Sequence, residues 1–159
     1  WHRHFLDSAQ LTKLYGVRCS RLVDLGSGAG FPGMVLAIMG QGGVELIDSN
    51  GKKCLFLERV SMSTNAGAVI TKARFDEVAR PNRADVVTAR AVAPLDRLLG
   101  DVSRWVKPEG VALLQRGSRF ESELAEAERL WDFEVVRHPS ITNPAGAILE
   151  ISEIRRTNV

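Results

Sequence analysis

The stretch "LVDLGSGAGFPGMVLAI" (residues 22–38) joins two apolar runs through a glycine-rich loop. Two patterns overlap in it. From Gly28, GAGFPG is a G-x-G-x-x-G, the spacing that lets a backbone approach a dinucleotide pyrophosphate. From Gly26, GSGAG is a G-x-G-x-G, the loop common among enzymes that bind S-adenosylmethionine. Asp48 follows about twenty residues after Gly28, where either ligand would want a carboxylate for its ribose. Two neighbours separate the readings. Asp24 sits in the first apolar run, where its charge would repel a pyrophosphate but can accept from the loop's N–H groups or from the amino group of a cationic ligand. Pro32 removes one of the helix-start donors that a phosphate would use. A sulfonium ligand without phosphate, S-adenosylmethionine, fits these residues better.

The elements that must position this loop alternate along the chain. Helical periodicity over Phe5–Tyr15 ends at Gly16, and a strand follows over Arg21–Leu25. Pro32 suits the first turn of a helix over Gly33–Met39. Strand two spans Val44–Ile47, and a helix spans Lys52–Asn65 with Leu55, Phe56 and Val60 on one face and Gly67 past its end. Strands over Ala68–Thr71 and Ala84–Thr88 come next. A helix marked by Leu95, Leu98, Leu99 and Val102 follows Pro94. Then come a strand over Val111–Leu114 and a charged helix over Glu121–Leu130. Phe133–Arg137 and Ala147–Ile154 alternate polar and apolar residues, which suits an antiparallel pair. The pattern predicts one α/β domain over residues 1–159. It is a Rossmann-like, mostly parallel seven-stranded sheet with an antiparallel C-terminal strand and helices on both faces, the class I methyltransferase arrangement. A nicotinamide domain would continue with further βα units instead.

This order places Asp48 at the C-terminal edge of strand two, where ligands bind in open α/β sheets, and there it can accept from both ribose hydroxyls. Capping the following helix is its alternative role. "KARFDEV" puts Phe75 and Asp76 after strand three, where an adenine would lie. The bland reading of Asp76 is a surface acid capping a short helix.

Composition bounds the rest. The chain has 159 residues, 45% hydrophobic and 25% charged, the balance of a soluble globular domain. A net charge of +2 permits a nucleic-acid partner without arguing for one. Cys19 and Cys54 lack a C-x-x-C spacing and read as reduced thiols of a cytoplasmic protein. His2, His4 and His138 form no metal-ligand spacing with them, so no metal is expected. No membrane-spanning run or signal peptide is visible. Trp1 reads as already inside a helix, so a further N-terminal segment is expected.

"HFLDSAQL", "VDLGSGAGFPG", "LIDSNGKK", "FLERV", "KARFDE" and "TARAVAPL" occur in this order over His4–Gly117. Together they closely resemble the family of ribosomal RNA small subunit methyltransferase G, also called glucose-inhibited division protein B. The resemblance implies transfer of a methyl group from S-adenosylmethionine to N7 of a guanine in 16S ribosomal RNA, leaving S-adenosylhomocysteine. It implies 16S rRNA or the 30S subunit as partner, with no membrane and no obligate protein partner. The family's cofactor contacts fall on Gly26, Phe31, Phe75, Asp76 and Arg90, to which the residues themselves add Gly28 and Asp48. His4 and Asp7 match the family's entry segment over the target pocket, although a helix N-terminus alone would explain Asp7. Two departures keep the charge: Lys52-Lys53 stands where the family often has Lys-Arg, and Arg116-Gly117 where it often has Lys-Gly. Lysine and arginine differ in how they hold phosphate. Lys52, Lys53, Arg97, Arg116 and Arg119 are the candidate RNA-facing rim, with scattered surface charge as the bland alternative.

Strand four narrows the acceptor independently. Exocyclic-amine methyltransferases place an Asp/Asn-Pro-Pro-aromatic element there, and C5 pyrimidine enzymes need a cysteine nucleophile. TARAVAPL has neither. Purine N7 has an in-plane lone pair and loses no proton, so no general base is named, and alignment supplies most of the acceleration. Arg90 is then a substrate-positioning group for a phosphate or for O6, with a strand-end ion pair as its structural alternative. A small-molecule methyltransferase on the same fold stays open, as does a nicotinamide-binding oxidoreductase resting on GAGFPG and Asp48 alone. Calorimetry with S-adenosylmethionine, S-adenosylhomocysteine and NADH separates the last.

Overall fold

In the computed structural model, which describes residues 2–16 and 19–157, a seven-stranded sheet runs in the order β3-β2-β1-β4-β5-β7-β6. The strands are β1 (Leu22–Leu25), β2 (Val44–Asp48), β3 (Val69–Lys72), β4 (Ala84–Arg90), β5 (Val106–Arg116), β6 (Trp131–Pro139) and β7 (Ala147–Arg156). The helices are α1 (His2–Ala9), α2 (Gly33–Ile38), α3 (Gly51–Thr64), α4 (Leu95–Trp105) and α5 (Phe120–Ala127). Strands β1 to β5 pair in parallel, and β7 runs antiparallel between β5 and β6. The loops after β1, β2, β3, β4 and β5 therefore all open at one edge of the sheet, which makes that edge the natural ligand site.

Alternation along the strands sorts the core into two layers. Leu22, Leu46, Val86 and Leu113 pack with Leu11, Met34, Leu36 and Leu57 on the face of α1, α2 and α3. Val23, Ile47, Val87 and Leu114 pack with Leu95, Leu99, Val102, Trp105 and Leu124 on the face of α4 and α5. Both faces of the central strands are covered, and β1 is buried at all four positions, as a short apolar strand in a parallel sheet must be.

Some boundaries and one helix face differ from the sequence expectation. The first helix ends at Ala9 and tightens into a 3-10 turn over Gln10–Lys13. Trp1, read from the sequence as helical, lies outside the described residues. β5 starts at Val106 and extends to Arg116, well beyond the expected Val111–Leu114. In α3 the buried stripe is Cys54, Leu57 and Ser61, while Leu55 and Phe56 are exposed at 58% and 51%. Residues three and four apart share a helical face, and the core-facing one is set by Leu57, not by the largest apolar neighbours. Asn50 caps α3 by accepting from Lys52 N and Lys53 N, and Asn65 closes it in the left-handed conformation ahead of Gly67. Among the described residues no helix is long and apolar enough to cross a membrane.

One buried charge ties the layers together at the loop-bearing edge. Asp24, 1% exposed on β1, accepts from Thr88 Oγ1 on β4 at 2.7 Å and from Gly33 N at 3.2 Å. Burial pushes its carboxyl up to about 6, despite the hydrogen bonds from Thr88, Ser27 and Gly33 and the charge of Arg90, which all oppose the rise. A raised carboxyl pKa means that the folded state holds the proton more tightly. The associated stabilisation is complete below the unfolded value of 3.8 and is lost as pH rises through about 6. Relative to Asp24→Asn, which does not titrate, the native chain should therefore gain roughly 1–3 kcal/mol between pH 7 and pH 4. Urea unfolding of both proteins across that range reads the difference, and parallel stability curves would refute it.

Candidate functional site

Three glycines with positive φ shape the loop after β1, Gly26 at 66°, Gly28 at 58° and Gly30 at 97°. A Cβ on Gly26 would stand 3.0 Å from Val92 Cγ2, and one on Gly30 would stand 2.8 Å from Met34 Cβ. Those two allow close packing inside the protein. A Cβ on Gly28 would meet only Gly26 O, at 4.0 Å, and otherwise enter open space. That open cradle is what a ligand approaching the backbone would fill. The loop hangs from β2, with Gly26 N and Ser27 N both donating to Ile47 O at 2.9 and 3.0 Å.

Asp48 ends β2 beneath the loop. Its Oδ2 accepts from Gly28 N at 2.8 Å and its Oδ1 from Asn50 N at 2.8 Å. Asn50, rather than Asp48, is the helix cap, so the carboxylate is left to order the loop and face the edge. A carboxylate has about four lone-pair sites, so two donors leave it acceptor capacity for hydroxyl groups. Asp24 behaves differently. It reaches Gly33 N at the start of α2 and is enclosed by protein.

Phe75 and Asp76 lie after β3, with Phe75 half-buried and Asp76 exposed. Phe75 Cε1 would stand 3.7 Å from a Cβ on Gly26, so its ring borders the glycine loop. Residues on α4 that the sequence reading did not single out hold this segment. Trp105 Nε1 donates to Phe75 O at 3.1 Å, Arg104 Nη1 to Asp76 O at 3.0 Å, and Arg104 Nη2 to Val78 O. No helix follows for Asp76 to cap. Its carboxylate pairs with Arg74 Nη2 at 2.7 Å, and this hydrogen bond holds the Asp76 carboxyl below the usual range.

Arg90, at the end of β4, stands between the glycine loop and α1. Its guanidinium lies 5.2 Å from the Phe31 ring centroid, donates from Nη1 to His4 Nδ1 at 3.2 Å, and sits 3.8 Å from Asp7 Oδ2. Phe31 also meets the rings of His4 at 5.5 Å and Phe5 at 5.3 Å. Asp7 is not at a helix N-terminus, since α1 begins at His2. It is a hub: Oδ1 accepts from Gln10 Nε2 and Thr142 Oγ1, both at 2.8 Å, and its carbonyl accepts from Gln115 Nε2 at 2.8 Å.

The basic residues divide. Lys52, Lys53, Arg97 and Arg119 are exposed. Arg116 is not on an exposed rim: its side chain is 6% exposed, donating to Ala93 O at 2.8 Å with Glu123 Oε2 3.4 Å away. Burial pulls its guanidinium below the usual value. Its Nε and Nη2 have no hydrogen-bond partner among the described residues. Arg116 lines a cavity of about 590 Å³ between the loop after β4 and α5, and a second cavity of about 160 Å³ beside Arg90 and Asp7. Sequence reasoning also missed Thr88 and Gln115. The available signal was a polar residue at an inward position of an otherwise apolar strand.

Cys19 lies away from this edge, and Cys54 sits beneath it at the end of β2. Cys19 precedes β1 at its other end, and burial pushes its thiol up to about 11. Cys54 is buried in α3 with Sγ 3.3 Å from Asp48 O, and burial raises it too. Neither forms a disulfide or faces the end of β4 as a thiolate.

The chain resembles the TehB-like SAM-dependent methyltransferase of Corynebacterium glutamicum, with a TM-score of 0.71 and 16% identity over 92% of this chain and 86% of that one. It also resembles the glycopeptide N-methyltransferase MtfA complexed with S-adenosyl-L-methionine, with a TM-score of 0.77 and 10% identity over 94% and 93%. At such identities the likeness is one of fold. Ribosomal RNA small subunit methyltransferase G of Paramagnetospirillum magneticum is 47% identical over 98% of this chain and 76% of its own length. The protein of the same name from Rhodospirillum centenum is 46% identical over 97% and 71%. The family model described as "GidB: rRNA small subunit methyltransferase G" matches residues 1–151, and the chain belongs to that family.

Proposed function

We propose that the protein transfers a methyl group from S-adenosylmethionine to N7 of a guanine in 16S ribosomal RNA. The observation that carries this reading is the end of β4, where Arg90, anchored between Phe31 and Asp7, adjoins the glycine loop with no cysteine nucleophile or amine-binding Pro-Pro element beside it. The relatives, named ribosomal RNA small subunit methyltransferase G, supply ribosomal RNA as the substrate class.

The residues present fit the cofactor. Gly28 leaves open the space that a ligand backbone contact needs. Asp48 has acceptor capacity for two ribose hydroxyls, Gly26 and Phe75 would border the adenine, and Phe31 would wall the methionine end. Backbone groups of the Phe75–Asp76 segment, pinned by Trp105 and Arg104, would contact the base, because the Asp76 carboxylate is engaged by Arg74. When bound, S-adenosylmethionine supplies an electrophilic methyl group on a sulfonium centre.

The chain's own residues then have a positioning task. Guanine N7 attacks through a lone pair that carries no proton, so no base is required, and the work lies in alignment. Arg90 donates to O6 or to a nearby phosphate from a guanidinium fixed by its ring and carboxylate partners. It cannot take a bidentate O6/N7 grip without blocking the nucleophile. Lys52 and Lys53 add exposed positive charge at the same edge, whereas Arg116 is enclosed beneath the loop after β4 and α5 and adds its charge from below the surface. A small-molecule acceptor is the second reading, and a panel of amines and nucleosides in the methyl-transfer assay tests it.

Asp48→Ala should weaken S-adenosylmethionine binding by tenfold or more, because charge-assisted bonds contribute about 1.5–3 kcal/mol each. Calorimetry on the folded variant checks this, and an affinity within twofold of the native protein would remove the ribose role. Gly28→Val should abolish binding in the same measurement, since the side chain enters the open cradle at a φ of 58°. Retained binding would leave the loop as a turn only.

RNA form gives a further expectation. N7 lies in the major groove, which is deep and narrow in A-form RNA and closed to side chains. Extruding a paired guanine costs a few kcal/mol, and a protein of net charge +2 has little phosphate attraction to offset it. Labelled methyl groups should therefore enter ribosomal RNA or 30S particles, at N7 of an unpaired or distorted guanine. A short perfect duplex with the same guanine should react at least tenfold more slowly. Equal rates at matched salt would sink this expectation.

A further inference from the structure

The face of α3 turned away from the core carries residues that a helix surface in water does not need. Cys54, Leu57 and Ser61 set the buried stripe, so the opposite line, at spacings of three and four, runs through Lys52, Leu55, Phe56, Arg59 and Met62. Leu55, Phe56 and Met62 are 58%, 51% and 79% exposed, and Lys52, Lys53 and Arg59 stand exposed among them. Lys72, the last residue of β3, adds a fourth cation. A Cβ on Gly51 would stand 3.2 Å from Lys72 Nζ, so this ammonium lies over the first turn of the helix. None of the four is ion-paired with an acid among the described residues. Glu58 is the one acid of α3, and it lies four residues after Cys54 and three before Ser61, on the flank toward the core.

Charge and position select the occupant. Unpaired cations interleaved with an aromatic ring and aliphatic side chains complement a partner that offers negative charge and flat apolar surface together. Phosphates and base faces of a single strand offer both, and proteins hold such strands by a basic track with rings on which bases stack. A regular duplex hides its base faces in the stack, so the strand must be unpaired where it meets Phe56. The track also starts in the right place. Asp48 holds Gly28 N in the glycine loop and Asn50 N at the cap of α3, so the helix begins at the cofactor edge. Joining the end of β2 to the start of the parallel β3, its 14 residues run about 21 Å from that edge toward the opposite end of the sheet. A second copy of the chain fits this face poorly, because a two-fold contact sets the same unpaired cations against themselves.

We propose that the outer face of α3 is a docking surface for an unpaired strand of the ribosomal RNA substrate, with Lys52, Lys53, Arg59 and Lys72 on its phosphates and Phe56 against a base. This rests on ribosomal RNA as the substrate, and it carries the RNA contact from the reaction edge along the body of the domain.

The test measures binding of the native protein, Arg59→Gln and Phe56→Ala to protein-free 16S rRNA and to 30S particles, by filter binding between about 50 and 200 mM salt. Arg59→Gln should weaken binding several-fold and reduce the slope of log affinity against log salt by about 0.7–1, the loss of one phosphate contact. Phe56→Ala should weaken binding about tenfold at every salt concentration and leave the slope unchanged, since stacking releases no counterion. Both variants should raise KM for RNA in methyl transfer and bind S-adenosylmethionine within twofold of native, and Arg59→Lys and Phe56→Tyr should restore most of the affinity. Contact is read by placing the photocrosslinker p-benzoylphenylalanine at Leu55, which should couple to 16S rRNA in the 30S particle, whereas the same group at Val136, exposed on β6, should not. Crosslinking of the Leu55 position to a second copy of the chain or to a ribosomal protein identifies another occupant and overturns the proposal. Native affinity and salt slope in both variants, on the substrate that the native enzyme methylates, overturn it as well. If the native protein neither binds nor methylates 16S rRNA in either form, the substrate reading itself falls, an outcome distinct from an active enzyme indifferent to α3.

Discussion

The arrangement of this site depends on a carboxylate that water does not reach. Asp24 joins β1 to β4 through Thr88 and to the start of α2 through Gly33 N. Both bonds lie next to functional parts: Thr88 is two residues before Arg90, and Gly33 ends the loop that carries Gly26 and Gly28. The bond to Gly33 also dictates its residue type, since a Cβ there would lie 2.6 Å from Asp24 Cβ. Burying a carboxylate is costly, as its upward shift to about 6 records. Removing one hydrogen-bond partner would leave that cost uncompensated. What the interaction provides is a fixed separation between the glycine loop and the end of β4.

A second carboxylate extends the same logic outward. Asp48 holds Gly28 N and Asn50 N, so the glycine loop and the start of α3 are registered against the end of β2. Asp24 fixes where the loop leaves the sheet, and Asp48 fixes its exposed crest. Trp105 and Arg104 do the same for the Phe75–Val78 segment from the opposite face of the sheet. Backbone groups that would meet a cofactor are therefore set before it arrives, and pre-set contacts lower the ordering cost of binding.

Much of this was legible in the sequence because it is local. Strand-loop-helix order follows from short apolar runs separated by glycine and proline, and parallel order brings Asp48, Phe75 and Arg90 to one edge without knowledge of any contact. The misreadings concern tertiary context. Leu55 and Phe56 look like a core face, yet the orientation of α3 is set by Leu57 packing near Gly30, and they point outward. Arg116 reads as an exposed cation next to Gly117, but α5 folds Glu123 over it and buries it. Gln115 carries no motif at all. Only the docking of α1, which brings Asp7 O to its amide, gives it a partner.

The sheet edge is consequently divided by task. Over β1, β2 and β3 lie glycine backbone, aromatic surface and acidic groups, which suit a cationic nucleoside. Over β4 and β5 lie Arg90, Arg116 and the two cavities, which suit an anionic polymer. Arg90 stands on the boundary, with an aromatic partner on one side and a carboxylate on the other. Cation–π attraction of about 0.5–2 kcal/mol and a partly screened ion pair limit its rotation. For a displacement that moves no proton, that restriction is the relevant property. Such a site has little reason to tune a catalytic pKa, and the strongly raised carboxyl of Asp24 sits in the scaffold, out of reach of the acceptor.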